Sequence, residues 1–353
     1  MQTKRRIPSL DGLRAIFLCL VVTVHLGTFS QNVDIQYAIG FGGIFVFFVM
    51  SGFIITKLLL EERQQTGDIA LGAFYGRRCF RIFPALLAYL CGIALLRSLG
   101  LASCSVKALL WGLTFLGNYR PASSFTVGHL WSLCVEEQFY LLWPLIFSRL
   151  SIKNASRLLF IVICIAPIVR LVLVARGATW ATLHHHSESV ADSIAMGCLL
   201  AIIQPRLHLN PTYQRFTRSY LCIFVPIVAL AATWEGSPLF YQGLGKTILF
   251  LSIALGIDIS IQCSESIWGR FLNNTVLVKL GMWSYSLYLW QQVFTLQRPG
   301  TQPYAWFPMN IALTLSVGVA SYYFIERPSL RWGLALVARR RHSIIAAGVA
   351  KAV

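Results

Sequence analysis

The sequence predicts an all-α, polytopic membrane bundle, and three observations carry that prediction. Only 12% of the 353 residues are charged, where soluble domains carry roughly 25%. Hydrophobic residues make up 56% of the chain, and the mean hydropathy is +0.65. The apolar residues are also grouped. Stretches near the ~20 residues that cross a bilayer fall at about 11–29, 37–60, 82–100, 130–148, 158–175, 190–204, 219–234, 245–263, 279–294 and 305–325. The composition excludes an ordinary soluble enzyme and, by its apolar excess, a disordered chain.

The first stretch follows Lys4, Arg5 and Arg6, as the apolar core of a signal peptide would. It lacks a small-residue cleavage site and is followed by many similar stretches, so it is read as the first membrane helix. The run Val106–Tyr119 is too short for a span and suits a re-entrant or interfacial segment. Ten spans place both termini on one side. The formal net charge of +17 would suggest a nucleic-acid binder if it covered a water-exposed face, but the loops are short and no nucleic-acid partner is expected. Alternating the ten spans puts 23 of the 30 Lys and Arg residues on the side of the termini, which marks that side as cytoplasmic. An eleventh span at Val106–Tyr119 would move Arg149, Lys153 and Arg157 outside and spoil the bias. No repeat or linker is visible, so one membrane domain is expected over 1–353, with a core at 8–335 and no separate soluble domain. Nine cysteines without a CxxC spacing are expected to be buried, reduced and apolar in role.

Ionisable groups inside spans are costly and are functional candidates by default. Arg14 and His25 are 11 residues apart, about three helical turns and ~16 Å of axial rise, which puts them on one face. His25 is either a base or a hydrogen-bonding link between helices. In span 4, GHLWSLCVEEQFYLLWP carries the adjacent carboxylates Glu136 and Glu137, which point about 100° apart. Glu136 shares a stripe with Ser132, Tyr140 and Trp143, as befits a cavity. Glu137 shares one with Leu133, Leu141 and Pro144, and anchors a neighbouring helix in the simplest reading. Counted from the outer end of its span, Glu136 comes level with His25, where a carboxylate would orient an imidazole as general base.

At the cytoplasmic mouth of span 3, FYGRRCFRIFP sets Arg78 and Arg81 at i, i+3. Such a pair either binds phosphates or only labels topology. Span 9, MWSYSLYLWQQ, offers Ser284, Tyr285, Ser286 and Gln291, as substrate contacts or as polar links between helices. Trp131, Glu137, Tyr140, Ser284, Tyr285 and Gln291 are the expected lining of the substrate path. Ser51–Gly52 is read as a close helix contact. The tract His184–His185–His186 beside Glu188 does not have the spacing of a metal site, and no metal is expected. Arg170, Asp192 and Asp258 are intramembrane charges without a sequence-level role, and Glu326–Arg327 reads as an ion pair at a helix end.

These motifs together resemble the family-3 membrane acyltransferases, which O-acylate bacterial surface polysaccharide, peptidoglycan and macrolides. The resemblance runs through LDGLRAI at 10–16, Arg14-x10-His25, FFVMSGFII at 47–55 and Arg78-x-x-Arg81. It continues in WSLCVEEQFYLLWP at 131–144, SYSLYLWQ at 284–291 and ERP at 326–328. It implies an O-acyltransferase of a bacterial inner membrane that moves an acyl group, commonly acetyl from acetyl-CoA, to the hydroxyl of a glycan or related acceptor. Its essential motifs fall on Arg14, His25, Arg78 and Arg81. Where the family often has a histidine, this chain has Gln291, so a second histidine is missing there. On this reading Arg78, Arg81 and Arg14 hold the CoA phosphates, and His25, oriented by Glu136, deprotonates the acceptor. Direct transfer and an acyl-histidine intermediate both remain open. The alternative is a proton-coupled transporter or flippase, against which stands the absence of an inverted repeat or paired broken half-helices.

Overall fold

The structure, a computed structural model, describes residues 6–25, 33–120, 124–234, 237–295 and 307–336. All its regular elements are helical. The α-helices are α1 (Pro8–His25), α2 (Val33–Thr66), α3 (Leu71–Ser98), α4 (Val106–Leu113), α5 (Phe125–Gly128), α6 (Leu130–Arg149), α7 (Ile152–Ala175), α8 (Trp180–His185), α9 (Ser187–Leu209), α10 (Pro211–Arg218), α11 (Phe224–Trp234), α12 (Pro238–Phe240), α13 (Lys246–Gln262), α14 (Ile267–Leu272), α15 (Thr275–Phe294) and α16 (Met309–Ser321). π-helical turns at Tyr241–Gly245 and Tyr322–Glu326 precede α13 and follow α16.

Among the described residues, six helices are long and apolar enough to cross a membrane: Pro8–His25, Gly40–Thr66, Leu71–Ser98, Ile152–Ala175, Trp180–Leu209 and Tyr241–Gln262. The chain is a multi-pass membrane protein. Helices α6, α11, α15 and α16 occupy the other four stretches where the sequence places spans. The expected short segment after residue 105 is the eight-residue α4, capped by Ser105, whose hydroxyl accepts from the Ala108 amide. Both termini, residues 26–29 at the end of the first expected span, and Arg298 lie outside the described residues.

The chain divides into two compact units. The first comprises Met1–Asp68, Phe115–Pro121 and Leu130–Ser284; the second comprises Ile69–Thr114, Ala122–His129 and Tyr285–Val353. In the first unit the α2–α9 contact is made backbone to backbone. A Cβ on Gly52 would sit 2.1 Å from the Ile194 carbonyl oxygen, and one on Gly197 would sit 1.8 Å from that of Val49. The close approach expected at Ser51–Gly52 is therefore real, and neither glycine accepts a methyl group. Helix α1 starts in the same way, with Gly12 against the Leu272 carbonyl and Gly281 against that of Asp11. Such contacts are how helices associate where lipid is as apolar as the side chains.

Helix α7 is largely exposed, with Phe160 61% and Ile168 59% exposed. Its one buried charge, Arg170, donates from both terminal nitrogens to Asp192, at 2.8 and 2.9 Å, both residues being fully buried. Arg170 also caps the carbonyls of Ser189, Gln242 and Gly243. Two of these belong to the π-helical turn, whose wider winding leaves carbonyls unpaired within the helix. Lys246, also buried, donates to the Leu183 carbonyl at 2.7 Å and lies over the Phe45 and Tyr241 rings. The other sequence-level orphan, Asp258, accepts from Gln204, His208, Tyr213 and Gln262. These intramembrane charges are thus structural, each satisfied inside the unit as a bilayer demands.

The cysteines are all free, but the expectation that they are buried needs correction. Cys104, Cys134 and Cys198 are buried, whereas Cys19, Cys79, Cys91 and Cys164 are exposed. A membrane bundle presents apolar side chains to lipid, so an apolar run does not identify its inward face.

Asp192→Ala leaves Arg170 and Lys246 without their carboxylate and is expected to cost about 3–5 kcal/mol, read as a lowered thermal unfolding midpoint in detergent. The double variant Arg170→Met/Asp192→Leu is expected to lose markedly less, because no uncompensated guanidinium remains.

Candidate active site

Helix α1 carries Arg14 and His25, and it runs unbroken from Pro8 to His25, so their shared face is kept. Arg14 is held near its start by Asp11, whose buried carboxylate accepts from Arg14 at 3.3 Å and also binds Arg6. The i, i+3 spacing of Asp11 and Arg14 was legible in the sequence, but nothing there told that Asp11 would be buried. Asp11 is the residue that fixes the guanidinium. His25 ends the helix, half-buried, where its neighbour Val24 packs 3.2 Å from the Cβ position of Gly40 at the start of the α2 span.

Helix α6 runs alongside α2. Trp131 lies against Phe41 and Phe48 of α2, with ring centroids 5.6 and 5.9 Å apart, and Trp143 Nε1 donates to the Thr56 hydroxyl at 2.9 Å. On another face of α2, Gly40 meets Val24 and Gly43 meets Val21, so α1 runs antiparallel to α2 along this stretch. Glu136 accepts the Tyr140 hydroxyl at 3.0 Å, one turn along the expected stripe. Trp131 and Tyr140 are buried, and Glu137 is half-buried.

The residue after this carboxylate pair ties the helix to a loop. Gln138 donates to the Phe115 carbonyl at 2.7 Å and to Asn118 Oδ1 at 2.9 Å, and accepts from the Ser187 hydroxyl at 2.6 Å. Asn118 closes the ring by donating to Ser187 at 3.2 Å. Phe115 takes a positive φ of 56°, a costly conformation for a bulky residue, which this bonding holds. The histidine tract splits its roles. His184 donates to the Trp180 carbonyl and stacks on that ring, His185 stacks on Trp131 at 4.3 Å, and His186 pairs with Glu188 at 3.2 Å.

The second unit brings together three motifs that lie far apart in the chain. Arg78 is half-buried and Arg81 exposed on α3. Tyr285 donates to the Ile82 carbonyl at 2.9 Å, and Ser286 donates to Glu326 at 2.7 Å. Glu326 is 4% exposed and lies in the field of Arg81, while Arg327 lies over the Tyr323 ring. Among the described residues the expected Glu326–Arg327 ion pair is thus not formed: Glu326 accepts from Ser286 and lies in the field of Arg81, and Arg327 turns to the Tyr323 ring. Gln291 is fully buried. Its neighbours Tyr288 and Gln292 grip the backbone of His129, Tyr288 donating to the carbonyl at 2.8 Å and the amide donating to Gln292 at 3.1 Å. The buried His129 ring packs against Tyr89 and Tyr288. Sequence reasoning passed over this histidine, although it heads the WSLCVEEQ block. Ser284 belongs to the first unit and is half-buried.

Among the described residues, no group of three or more His, Cys, Asp or Glu is placed to hold a metal ion.

A family model described as an acyltransferase domain matches residues 7–325. Curated relatives include the peptidoglycan O-acetyltransferase OatA of Listeria monocytogenes serovar 1/2a, 30% identical over 359 residues, which cover 92% of this chain and 56% of that protein. The putative peptidoglycan O-acetyltransferase YrhL of Bacillus subtilis strain 168 is 29% identical, over 96% of this chain and 57% of that one. The O-acetyltransferase OatA of Staphylococcus aureus strain NCTC 8325 is 29% identical, over 94% and 58%. The chain spans somewhat over half the length of these relatives. No solved structure matches it.

Gln138→Leu leaves Asn118, Ser187 and the Phe115 carbonyl with unmade bonds. It is expected to destabilise the protein by about 1–3 kcal/mol, seen as a lowered thermal midpoint, and to raise proteolysis within 114–120.

Proposed function

The chain belongs to the acyltransferase domain family, and from that premise we propose that it is a membrane O-acyltransferase of a bacterial inner membrane. It takes an acyl group, acetyl in the first instance, from cytoplasmic acyl-CoA and places it on a hydroxyl of a cell-envelope glycan. The observation that carries the reading is the family match over 7–325. The names of the relatives, peptidoglycan O-acetyltransferases, support the choice of acyl group and acceptor.

In the proposed chemistry Arg14, Arg78 and Arg81 provide cationic contacts for the donor phosphates, guanidinium being suited to bidentate phosphate binding. His25 accepts the proton of the acceptor hydroxyl. The oxygen attacks the thioester carbonyl, the carbon–sulfur bond breaks, and the departing thiolate takes the proton back from the imidazolium. Glu136 supplies the negative charge that favours the imidazolium as it forms. Trp131, Glu137, Tyr140, Ser284, Tyr285 and Gln291 line the substrate path in this reading. In this reading His25 moves the proton, and Glu136 orients the imidazole and acts on it electrostatically.

Purified full-length protein given acetyl-CoA labelled in the acetyl group and cell-wall glycan fragments is expected to move label to the glycan. His25→Ala is expected to slow this by roughly 10²–10⁴-fold, the usual contribution of a positioned base, and Glu136→Gln by a smaller factor. Transfer at the wild-type rate in His25→Ala removes the base assignment. Label that stays on CoA in the wild type favours transport instead.

A further inference from the structure

The His184–His186 tract and the 114–120 loop have no task in the chemistry above, yet both are closely bonded and packed. Glu188, with 45% of its side chain exposed, is held by two donors: the Tyr119 hydroxyl at 3.0 Å and His186 Nδ1 at 3.2 Å. The Tyr119 and His186 rings meet edge to face at 4.8 Å. Trp180 stacks on His184 at 4.1 Å and meets Phe41 edge-on at 4.6 Å. Yet Trp180 remains 44% exposed and Tyr119 40% exposed. The Gln138–Asn118–Ser187 bonding fixes the backbone beneath. The cluster sits at the His25 end of the unit, because Phe41 adjoins Gly40, the neighbour of Val24.

A membrane-interface belt accounts for exposed Trp and Tyr rings alone. It does not account for a carboxylate and an imidazole bonded to each other and both set against Tyr119, nor for a strained loop held in place beneath them. Aromatic rings held by their neighbours yet partly exposed, with a carboxylate whose lone pairs accept hydroxyl donors, are what a pyranose presents its apolar face and its hydroxyl pairs to. A rim already ordered by its own bonds loses little conformational freedom when it binds.

We propose that Tyr119, Trp180, His186 and Glu188 form a carbohydrate-docking rim that seats the acceptor glycan at the His25 end of the first unit. The inference takes from the acyl-transfer reading only that the acceptor is a glycan. The test is calorimetric titration of the full-length protein in nanodiscs with a β-1,4-linked N-acetylglucosamine tetrasaccharide. Saturable binding is expected in the wild type, with Kd raised about tenfold or more, the loss of a well-placed contact of about 1.4 kcal/mol, in Glu188→Gln and in Trp180→Ala. Glu188→Gln keeps shape and exposure, so it reads the contact even if Trp180→Ala lowers the thermal midpoint. No saturable binding in the wild type, or an unchanged Kd in both variants, overturns the rim. If rim-dependent binding is found while no acyl group is ever transferred, the docking site stands and the acyl-transfer reading falls.

Discussion

The contact on which the first unit depends is the one where α2 and α9 touch without side chains between them. Gly52 meets the Ile194 carbonyl and Gly197 meets that of Val49, so the two backbones are locked in one register. That register carries Asp192, two residues before Ile194, to Arg170 on α7. It carries Gln204 toward Lys57 on α2, which donates to it at 3.4 Å, and it carries the beginning of α9 to the level where Phe41 meets the histidine tract. In a bilayer no solvent-driven collapse pulls helices together, so geometry of this kind does the work that burial does in water.

The second constraint is that charge brought into the apolar layer must be neutralised from within. Arg170 finds a bidentate carboxylate and spare carbonyls of a π-helical turn. Asp258 finds four donors from α9, α10 and its own helix. In the second unit Glu326 finds Ser286 and Arg81. Outside the spans, burial and the nearby Glu188 carboxylate hold the Tyr119 phenol above its ordinary pKa. Tyr119 therefore remains a donor at neutral pH, as the geometry of the rim requires. Charges of this kind are scaffolding. Arg14 and Glu136 are only half-buried, and each bonds a neighbour on its own helix.

Much of the candidate site was visible in the chain because helical spacing is rigid. Spacings of eleven positions from Arg14 to His25, three from Arg78 to Arg81, and four from Glu136 to Tyr140 each fix a shared face before any packing is known. What spacing cannot give is partners across the sequence, such as Phe41 for Trp131 and the Thr56 hydroxyl for Trp143. Glu326 reads as the neighbour of Arg327, and only packing of α3 against the turn after α16 sets it in the field of Arg81. Cys79 and Cys164 failed for a related reason: inside and outside of a membrane bundle are equally apolar, so hydropathy is silent about which face is buried.

By itself, the sequence determined the class of the protein: helical, multi-pass, with cationic and carboxylate side chains placed at fixed turns along individual spans. It could do so because hydropathy over ~20 residues and the 3.6-residue turn are local properties. Tertiary structure decided how the intramembrane charges are satisfied. It made Arg170 and Asp258 scaffolding, turned Asp11 into the holder of Arg14, and tied Gln138 to a loop and a histidine tract that look unrelated in the chain. The reason is that in lipid a polar group's role is set by the partner that satisfies it, and those partners come from helices whose register only packing fixes.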